Sequence, residues 1–257
     1  MTYKVDLNSD LGESFGAYKI GQDDQIIPLV SSANVACGFH AGDPLVIDTT
    51  IALAKSHGTG IGAHPGFPDL MGFGRRNLQT TVRETSAYIT YQIGALGAFV
   101  TAHNAKLQHV KPHGALYNMA CQDAPLAKAI TEAVARYDDE LILLCPGASE
   151  LALAAKSSGL RVAKEVFADR SYEKDGSLVA RSKEGAMITD EALAIDRLVQ
   201  MITQRTVTTI DGAIIPIEAD SICVHGDGPK ALDFVRTIRQ TFDTKGIQIA
   251  SLSEIIA

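Results

Sequence analysis

The sequence predicts an α/β protein whose parallel strands close into a TIM-like ring. Short apolar runs alternate with helix-like stretches along the whole chain, the pattern of repeated βα units. Seven or eight such units fit within 257 residues, which is the size of a β/α barrel. No internal repeat, low-complexity tract or Ser/Pro linker breaks the alternation, so residues 1–257 read as a single domain. A doubly wound open sheet is the other architecture that this pattern allows.

The strands are expected at residues 4–9, 33–37, 59–63, 109–111, 141–145, 161–166, 221–225 and 247–250. Helices are expected at 44–56, 81–103, 125–137, 149–157, 190–206, 229–241 and 253–256. Asp43-Pro44 and Gly228-Pro229 place proline at a first helical position, where its missing N–H costs nothing. The Asp43 carboxylate can also cap its helix. Two segments depart from the alternation. Residues 167–188 are long and charged and contain two glycines, which suits a lid or a hairpin. Residues 206–217 read as a small β-hairpin, with Asp211-Gly212 signalling a type I′ turn.

Composition narrows the function. Lys and Arg number 23 against 30 Asp and Glu, a net charge of −7, which argues against a basic nucleic-acid binder. Hydrophobic residues at 46% and charged residues at 21% suit a globular chain. No window of about 18 apolar residues occurs, so no membrane helix is expected. The first residues lack a signal-peptide apolar region, and Cys37, Cys121, Cys145 and Cys223 form no CxxC pair. The cysteines read as reduced thiols and the protein as cytoplasmic.

Side chains alternate between the two faces of a strand. Val5 and Leu7 share one face of the first strand, with Asp6, Asn8 and Asp10 on the other. Asn34 and Ala36, then Gly62 and His64, then Lys111 and His113, then Ala163 and Glu165, and Cys223 and His225 repeat the division. One face is apolar and packs against helices. The other is small or ionisable, although a barrel interior is ordinarily filled with branched apolar side chains. Buried Asp, Lys and His are costly unless paired or wet. His40, His64, His113 and His225 each fall at the end of a different strand, where barrel active sites lie.

Each motif has a chemical reading and a plainer one. Asp6, Asn8, Asp10 and Glu13 make a polar strand end that binds a ligand or cation, or they serve as turn formers and caps. His40 follows Cys37-Gly38-Phe39 as an acid/base, a hydrogen-bond donor or a ligand, or as a satisfied structural histidine. The loop Gly62 to Arg76 presents Arg75 and Arg76 to a carboxylate or phosphate, or simply to solvent. Pro112 argues against a helix through 109–113, so His109 and His113 are not an i,i+4 ligand pair. Lys111 needs a counter-charge, which Asp6 or Asp10 can supply. His225-Gly226-Asp227-Gly228-Pro229 leads into a helix whose free N–H groups could cradle an anion. No P-loop, G-x-S-x-G elbow, HExxH or EF-hand loop is present.

The runs VDLNSDLGESFG at 5–16, ANVACGFHAGDP at 33–44, GAHPGFPDLMGFGRR at 62–76, VKPHGALYN at 110–118, EVFADRSYEKDGSLVARSKEGAMI at 165–188 and CVHGDGPKAL at 223–232 carry a resemblance. The chain resembles the lactam-utilisation family of 5-oxoprolinase A subunits over nearly its whole length. The resemblance implies ATP-dependent cleavage of 5-oxo-L-proline to L-glutamate, with ADP and phosphate as products. It implies two partner subunits, B and C, and ATP as a co-substrate with magnesium. It also implies a fold similar to the glycoside hydrolase/deacetylase superfamily, an irregular seven-stranded (β/α)7 barrel. Members of that superfamily often bind a metal through one Asp and two His. This chain has no His pair within one short motif, so no ligand set is assigned from it.

Under this resemblance Asp10, His40 or His64 is the base, and Lys111 and His113 stabilise negative charge on oxygen. Arg75, Arg76 or Arg170 holds a carboxylate or phosphate. Asp6, Asn8, Glu13, His225 and Asp227 complete the expected substrate-binding set. A stand-alone metal-dependent amidase or deacetylase, and a non-catalytic binding component of the complex, are the competing readings.

Overall fold

The computed structural model describes residues 3–224 and 231–256. Strand β1 (Tyr3–Leu11) is followed by a short helix α1 (Asp23–Ile26), a 3-10 turn and β2 (Ser32–Ala36). Helix α2 (Pro44–His57), β3 (Gly60–His64), α3 (Val82–Ala102) and β4 (Leu107–Val110) come next. Two helices, α4 (Gly114–Ala120) and α5 (Ala124–Tyr137), precede β5 (Ile142–Cys145), α6 (Glu150–Ser157) and β6 (Arg161–Phe167). Helix α7 (Glu191–Gln204) leads to a hairpin of β7 (Thr206–Thr208) and β8 (Ile214–Pro216). The chain finishes with β9 (Ser221–Val224), α8 (Ala231–Lys245), β10 (Ile247–Ile249) and α9 (Leu252–Ile255).

The strands pair in parallel in the order β1-β2-β3-β4-β5-β6-β9, and β9 pairs back onto β1. Asn8 stands opposite Ser32 on one side and Cys223 on the other, so β1 is held from both flanks. The ring is closed and has seven strands, which sets aside the open-sheet alternative. The expected eighth strand lies outside it. There β10 pairs only with the first residues of β1, Tyr3 opposite Ile247 and Val5 opposite Ile249.

Local sequence explains the helix starts. Asp43 accepts N–H bonds from Leu45 and Val46 ahead of Pro44, and Thr81 and Glu84 form a reciprocal capping box on α3. Sequence reading missed α4, because Pro112 argued against a helix there. The helix begins two residues beyond that proline, at Gly114. The expected start at Gly228-Pro229 lies outside the described residues. The 206–217 hairpin forms, but not with a type I′ turn. Among residues 209–213 only Gly212 has positive φ, at 85°, and its N–H donates to the Thr209 carbonyl. A type I′ turn needs positive φ at both central residues, so the strands are joined by a longer loop. Residues 167–188 form an irregular hairpin, with antiparallel bridges Arg170 to Met187 and Tyr172 to Leu178.

The two strand faces separate as the alternation predicts. Val5, Leu7, Val35, Ala63, Val110, Leu143, Val166 and Ile222 are buried in one apolar core that includes residues of the surrounding helices. The base of the ring is plugged by Ile142, Leu144 and Ala163 with Leu252 of α9. Above this plug the interior is polar. Ser31, Ser32 and Ser221 hydroxyls donate to Asp6. Asn8 Nδ2 donates to Ser221 Oγ at 2.7 Å, Asn34 Nδ2 donates to Asn8 Oδ1 and Asp10 Oδ1 at 2.8 Å each, and His109 Nε2 donates to Asn34 Oδ1 at 2.7 Å. Burial raises the Asp6 carboxyl to about 6 against the pull of its three hydroxyl donors. No helix of the described residues is long and apolar enough to cross a membrane.

Burial, reinforced by Lys111, lowers His109 to about 3 from 6.5. The unfolded chain therefore takes up a proton that native His109 refuses between those values, and this contribution to stability is present above pH 6.5 and lost as pH falls toward 3. Replacing His109 by Gln keeps a donor for Asn34 and removes the titration. The urea midpoint of His109→Gln should fall less steeply than that of the natural chain between pH 6.5 and pH 5; parallel curves would count against this origin.

Candidate functional site

A parallel ring gathers every strand's C-terminal end at one mouth. Asp10 lies near the end of β1, His64 ends β3, Lys111 and His113 follow β4, Glu165 lies near the end of β6, and Cys223 lies on β9. Glu13, His40 and Arg75 come from the loops after β1, β2 and β3. A cavity of about 150 Å³ opens here, lined among others by Asp10, His64, Arg75, Lys111, His113 and Arg170.

Lys111 occupies the centre. Its Nζ lies 2.8 Å from Glu165 Oε1, 3.0 Å from Asp10 Oδ1, 3.3 Å from Asn8 Oδ1 and 3.1 Å from Cys223 Sγ. Burial by itself disfavours the ammonium, but the Asp10 and Glu165 carboxylates outweigh it and hold Lys111 well above its usual range. Glu165 Oε2 accepts a 2.6 Å bond from the Tyr117 hydroxyl, so this carboxylate is held from both ends. The counter-charge expectation is half corrected. Asp10 supplies it, Asp6 does not, and Glu165 is the second partner. Asp6 is taken up by three serine hydroxyls lower in the ring. Glu165 was readable in principle, since it shares the interior face with Ala163 and a buried Lys between two acids needs both.

The histidines form a second cluster. His64 Nδ1 lies 2.7 Å from the Lys111 carbonyl and His113 Nε2 lies 2.8 Å from the Phe73 carbonyl. A carbonyl only accepts, so each of these nitrogens carries a hydrogen. When the rings are neutral, His64 Nε2 and His113 Nδ1 are then bare lone pairs, and they face each other at 2.9 Å. Two lone pairs so close repel unless a proton or a cation joins them. Burial lowers His113 to about 3, which favours the bare form. Behind them His40 stacks on His113, with ring centres 3.6 Å apart and planes 4° from parallel. Among the described residues neither ring nitrogen of the fully buried His40 has a hydrogen-bond partner. Its Nε2 lies 3.5 Å from Glu13 Oε1, and His113 Nδ1 lies 3.8 Å from the same oxygen. Ligand atoms of Glu13, His40, His64 and His113 all fall within 4.8 Å of one another. Histidine pairs whose outer N–H groups are fixed on backbone carbonyls are a common setting for metal coordination. The Asp10 Oδ2 atom, 3.4 Å from His64 Nε2, ties this cluster to Lys111.

The loop after β3 is shaped around these rings. Phe73 is left-handed at φ 54° and Gly74 at 61°, and a Cβ on Gly74 would sit 2.7 Å from His113 Cδ2 and from His40 Cβ. Only glycine lets the loop close on the stacked pair.

Of the other expected site residues, Arg75 and Arg170 line the cavity, as do Asp10 and Glu13. Arg76 turns instead to the buried Asp69, its Nε 2.8 Å from Oδ1. Asn8 and Asp6 belong to the network below, and His40 lies behind the cavity wall. His225 and Asp227 lie outside the described residues. Tyr117, Phe167 and Arg181 also line the cavity and were not singled out from sequence. Two of them sit in or beside the 167–188 hairpin, whose return over the mouth cannot be read from periodicity.

With this geometry in view, the chain can be set beside known proteins. The model of the LamB/YcsF family matches residues 5–257. The chain belongs to the LamB/YcsF family. Among its LamB/YcsF relatives, a protein from Clostridium beijerinckii named as the A subunit of 5-oxoprolinase is 59% identical over 253 residues, covering 98% of this chain and 99% of that one. A Campylobacter jejuni protein of the same name is 57% identical over 254 residues, covering 99% and 100%. The crystal structure of a lactam utilization protein from Thermus thermophilus superposes with a TM-score of 0.92 at 45% identity, covering 96% of this chain and 99% of that one. A peptidoglycan deacetylase from Bacillus subtilis, at 11% identity and a TM-score of 0.50 over 99% of this chain and 90% of its own, shares the fold alone.

Removing Lys111 strands the buried Glu165 carboxylate and the half-buried Asp10. Lys111→Ala should lower the free energy of unfolding in urea by about 3–5 kcal/mol. Adding Glu165→Gln to Lys111→Met should recover part of that loss, because one stranded charge is gone. A double variant no more stable than Lys111→Met would show that the ion pair is not what holds the mouth together.

Proposed function

We propose that the chain is the A component of a 5-oxoprolinase, acting with the B and C subunits to cleave 5-oxo-L-proline to L-glutamate with ATP. The observation that carries this reading is the cavity at the ring's mouth. It is small, about 150 Å³, and is lined by an ammonium and guanidinium groups together with Asp10 and His64. Pockets for drug-sized ligands begin at about 300 Å³, so this one suits a compact cyclic acid and not a nucleotide. The LamB/YcsF relatives named for the A component of 5-oxoprolinase match over their full length and support the same reading.

The chemistry follows from the bond to be broken. A five-membered lactam is a stable amide. Transfer of the terminal phosphoryl group of magnesium-bound ATP to the lactam oxygen releases ADP and makes the ring carbon a better electrophile. Water adds to that carbon, the ring C–N bond breaks, and the nitrogen leaves with a proton. A second water then releases phosphate and completes L-glutamate. Asp10 or His64, both on the cavity wall, takes the proton from the attacking water. Lys111 faces the charge that develops on oxygen. Arg75, on the wall of the small cavity, holds the carboxylate. His113 cannot donate to the oxygen while its only N–H is on Phe73, so its part is at the shared position with His64.

Glu13, His40, His64 and His113 would hold a divalent cation, which when bound would polarise a carbonyl oxygen. The facing lone pairs favour a second reading, metal-dependent amide hydrolysis without ATP.

The deciding experiment is 5-oxoproline-dependent ATP hydrolysis by the reconstituted enzyme, with each of its three components, and then ATP, omitted in turn. Activity should require this chain and ATP. Alanine at Lys111 or His64 should reduce turnover by at least about a hundredfold in folded protein. Glutamate formation that persists without ATP would replace the first reading by the second, and near-normal turnover in both folded variants would reject the assigned roles. In parallel, the isolated chain stripped with chelator and titrated with Co(II) should develop a visible absorption band, and His64→Ala should abolish it; an unchanged band in that variant would place the metal elsewhere.

A further inference from the structure

Beside the small cavity lies a second chamber of about 600 Å³, under the 167–188 hairpin. The two spaces share Tyr117, Asn118, Phe167, Arg170, Leu178 and Arg181 as lining residues. Their common wall therefore carries two guanidinium groups. Arg170 is the unusual one. It is only 6% exposed, its Nη2 donates to the Val179 carbonyl at 2.7 Å, and its Nε has no hydrogen-bond partner among the described residues. Burial and then the neighbouring charge of Arg181 disfavour its positive charge, and Asp169 offsets part of this. A mostly buried guanidinium that lines the same cavity wall as a second cation gains when an anion is bound between them. Phosphate oxygens match the forked donors of arginine. Two carboxylates also line the second chamber. Glu165 is already held by Lys111 and Tyr117, and Asp175 accepts from the Ser177 N–H at 2.9 Å.

We infer that Arg170 and Arg181 form a phosphoryl subsite at the junction of the two chambers, with the lactam in the smaller space and the phosphate-bearing group reaching it from the larger. This rests on the proposed function for the origin of the phosphoryl group, which is either the donor nucleotide or a lactam already phosphorylated. The placement follows from size and charge. The smaller cavity is too tight for a nucleotide, and the larger one has the volume for it.

The test is calorimetric titration of the full chain with inorganic phosphate. The natural protein should bind it. Arg181→Ala, an exposed position that leaves the fold intact, should weaken binding about tenfold, the equivalent of one charge-assisted hydrogen bond. Arg170→Lys, checked for native near-UV circular dichroism, should weaken it at least as much, because a point charge lacks the fork. Arg83→Ala on the outer face of α3 should leave binding unchanged. Competition by ADP identifies the donor nucleotide as the occupant of the larger chamber; undiminished phosphate binding in saturating ADP identifies the phosphorylated lactam. Failure of phosphate to bind, or equal binding by both folded arginine variants, would overturn the subsite and leave the lactam reading standing. Loss of 5-oxoproline-dependent ATP hydrolysis with phosphate binding intact would do the reverse.

Discussion

The buried ammonium of Lys111 is the interaction on which the rest of the mouth depends. Its three hydrogens are shared among Asp10, Glu165 and the neighbouring Asn8 and Cys223. Each carboxylate then has further partners, Asn34 among those of Asp10. Asp10 also approaches His64, and Glu165 also receives Tyr117. Taking these acids out of water is unfavourable without a cation between them. With it, residues from β1, the end of β4, β6 and β9 are tied together across the ring. Below that level the asparagines and serines of β1, β2 and β9 pass hydrogen bonds around the interior in place of branched apolar packing.

Much of this fold was legible because a strand's two faces have different chemistry. Val5 and Leu7 against Asp6, Asn8 and Asp10 fixed which side of β1 looks inward, and the same reasoning placed His64, Lys111 and Glu165 inside. Cap chemistry located the start of α2, and periodicity placed α3 to within a residue at each end. What was not legible depends on distances through space. The choice of Glu165 over Asp6 as partner of Lys111 follows from ring register and stagger, which periodicity does not encode. Helix α4 was hidden because proline's effect is local and reaches only a residue or two. Arg75 and Arg76 are adjacent in sequence but part at the cavity wall, one lining it and the other held by Asp69.

The histidine cluster shows a further limit. Sequence could nominate His40, His64 and His113 as neighbours at strand ends. It could not say which nitrogen of each carries hydrogen, because that is decided by the carbonyls of Lys111 and Phe73. Those two backbone groups turn the rings so that their remaining lone pairs meet. The left-handed Phe73 and the adjacent Gly74 are the local strain that this orientation requires.

Closure of the ring has a consequence for biosynthesis. The first strand is completed by partners that emerge from the ribosome long after it: Ser221 to Val224 on one flank, and Ile247 to Ile249 beneath. Until then its flank toward β9 offers unpaired amides, and its aspartates have neither Ser221 nor the finished lysine cage around them. A ring whose first strand waits for partners so distant in sequence closes late and slowly. The same arrangement makes the mouth of the ring a checkpoint for completeness, since a product truncated before β9 lacks the strand that seals it.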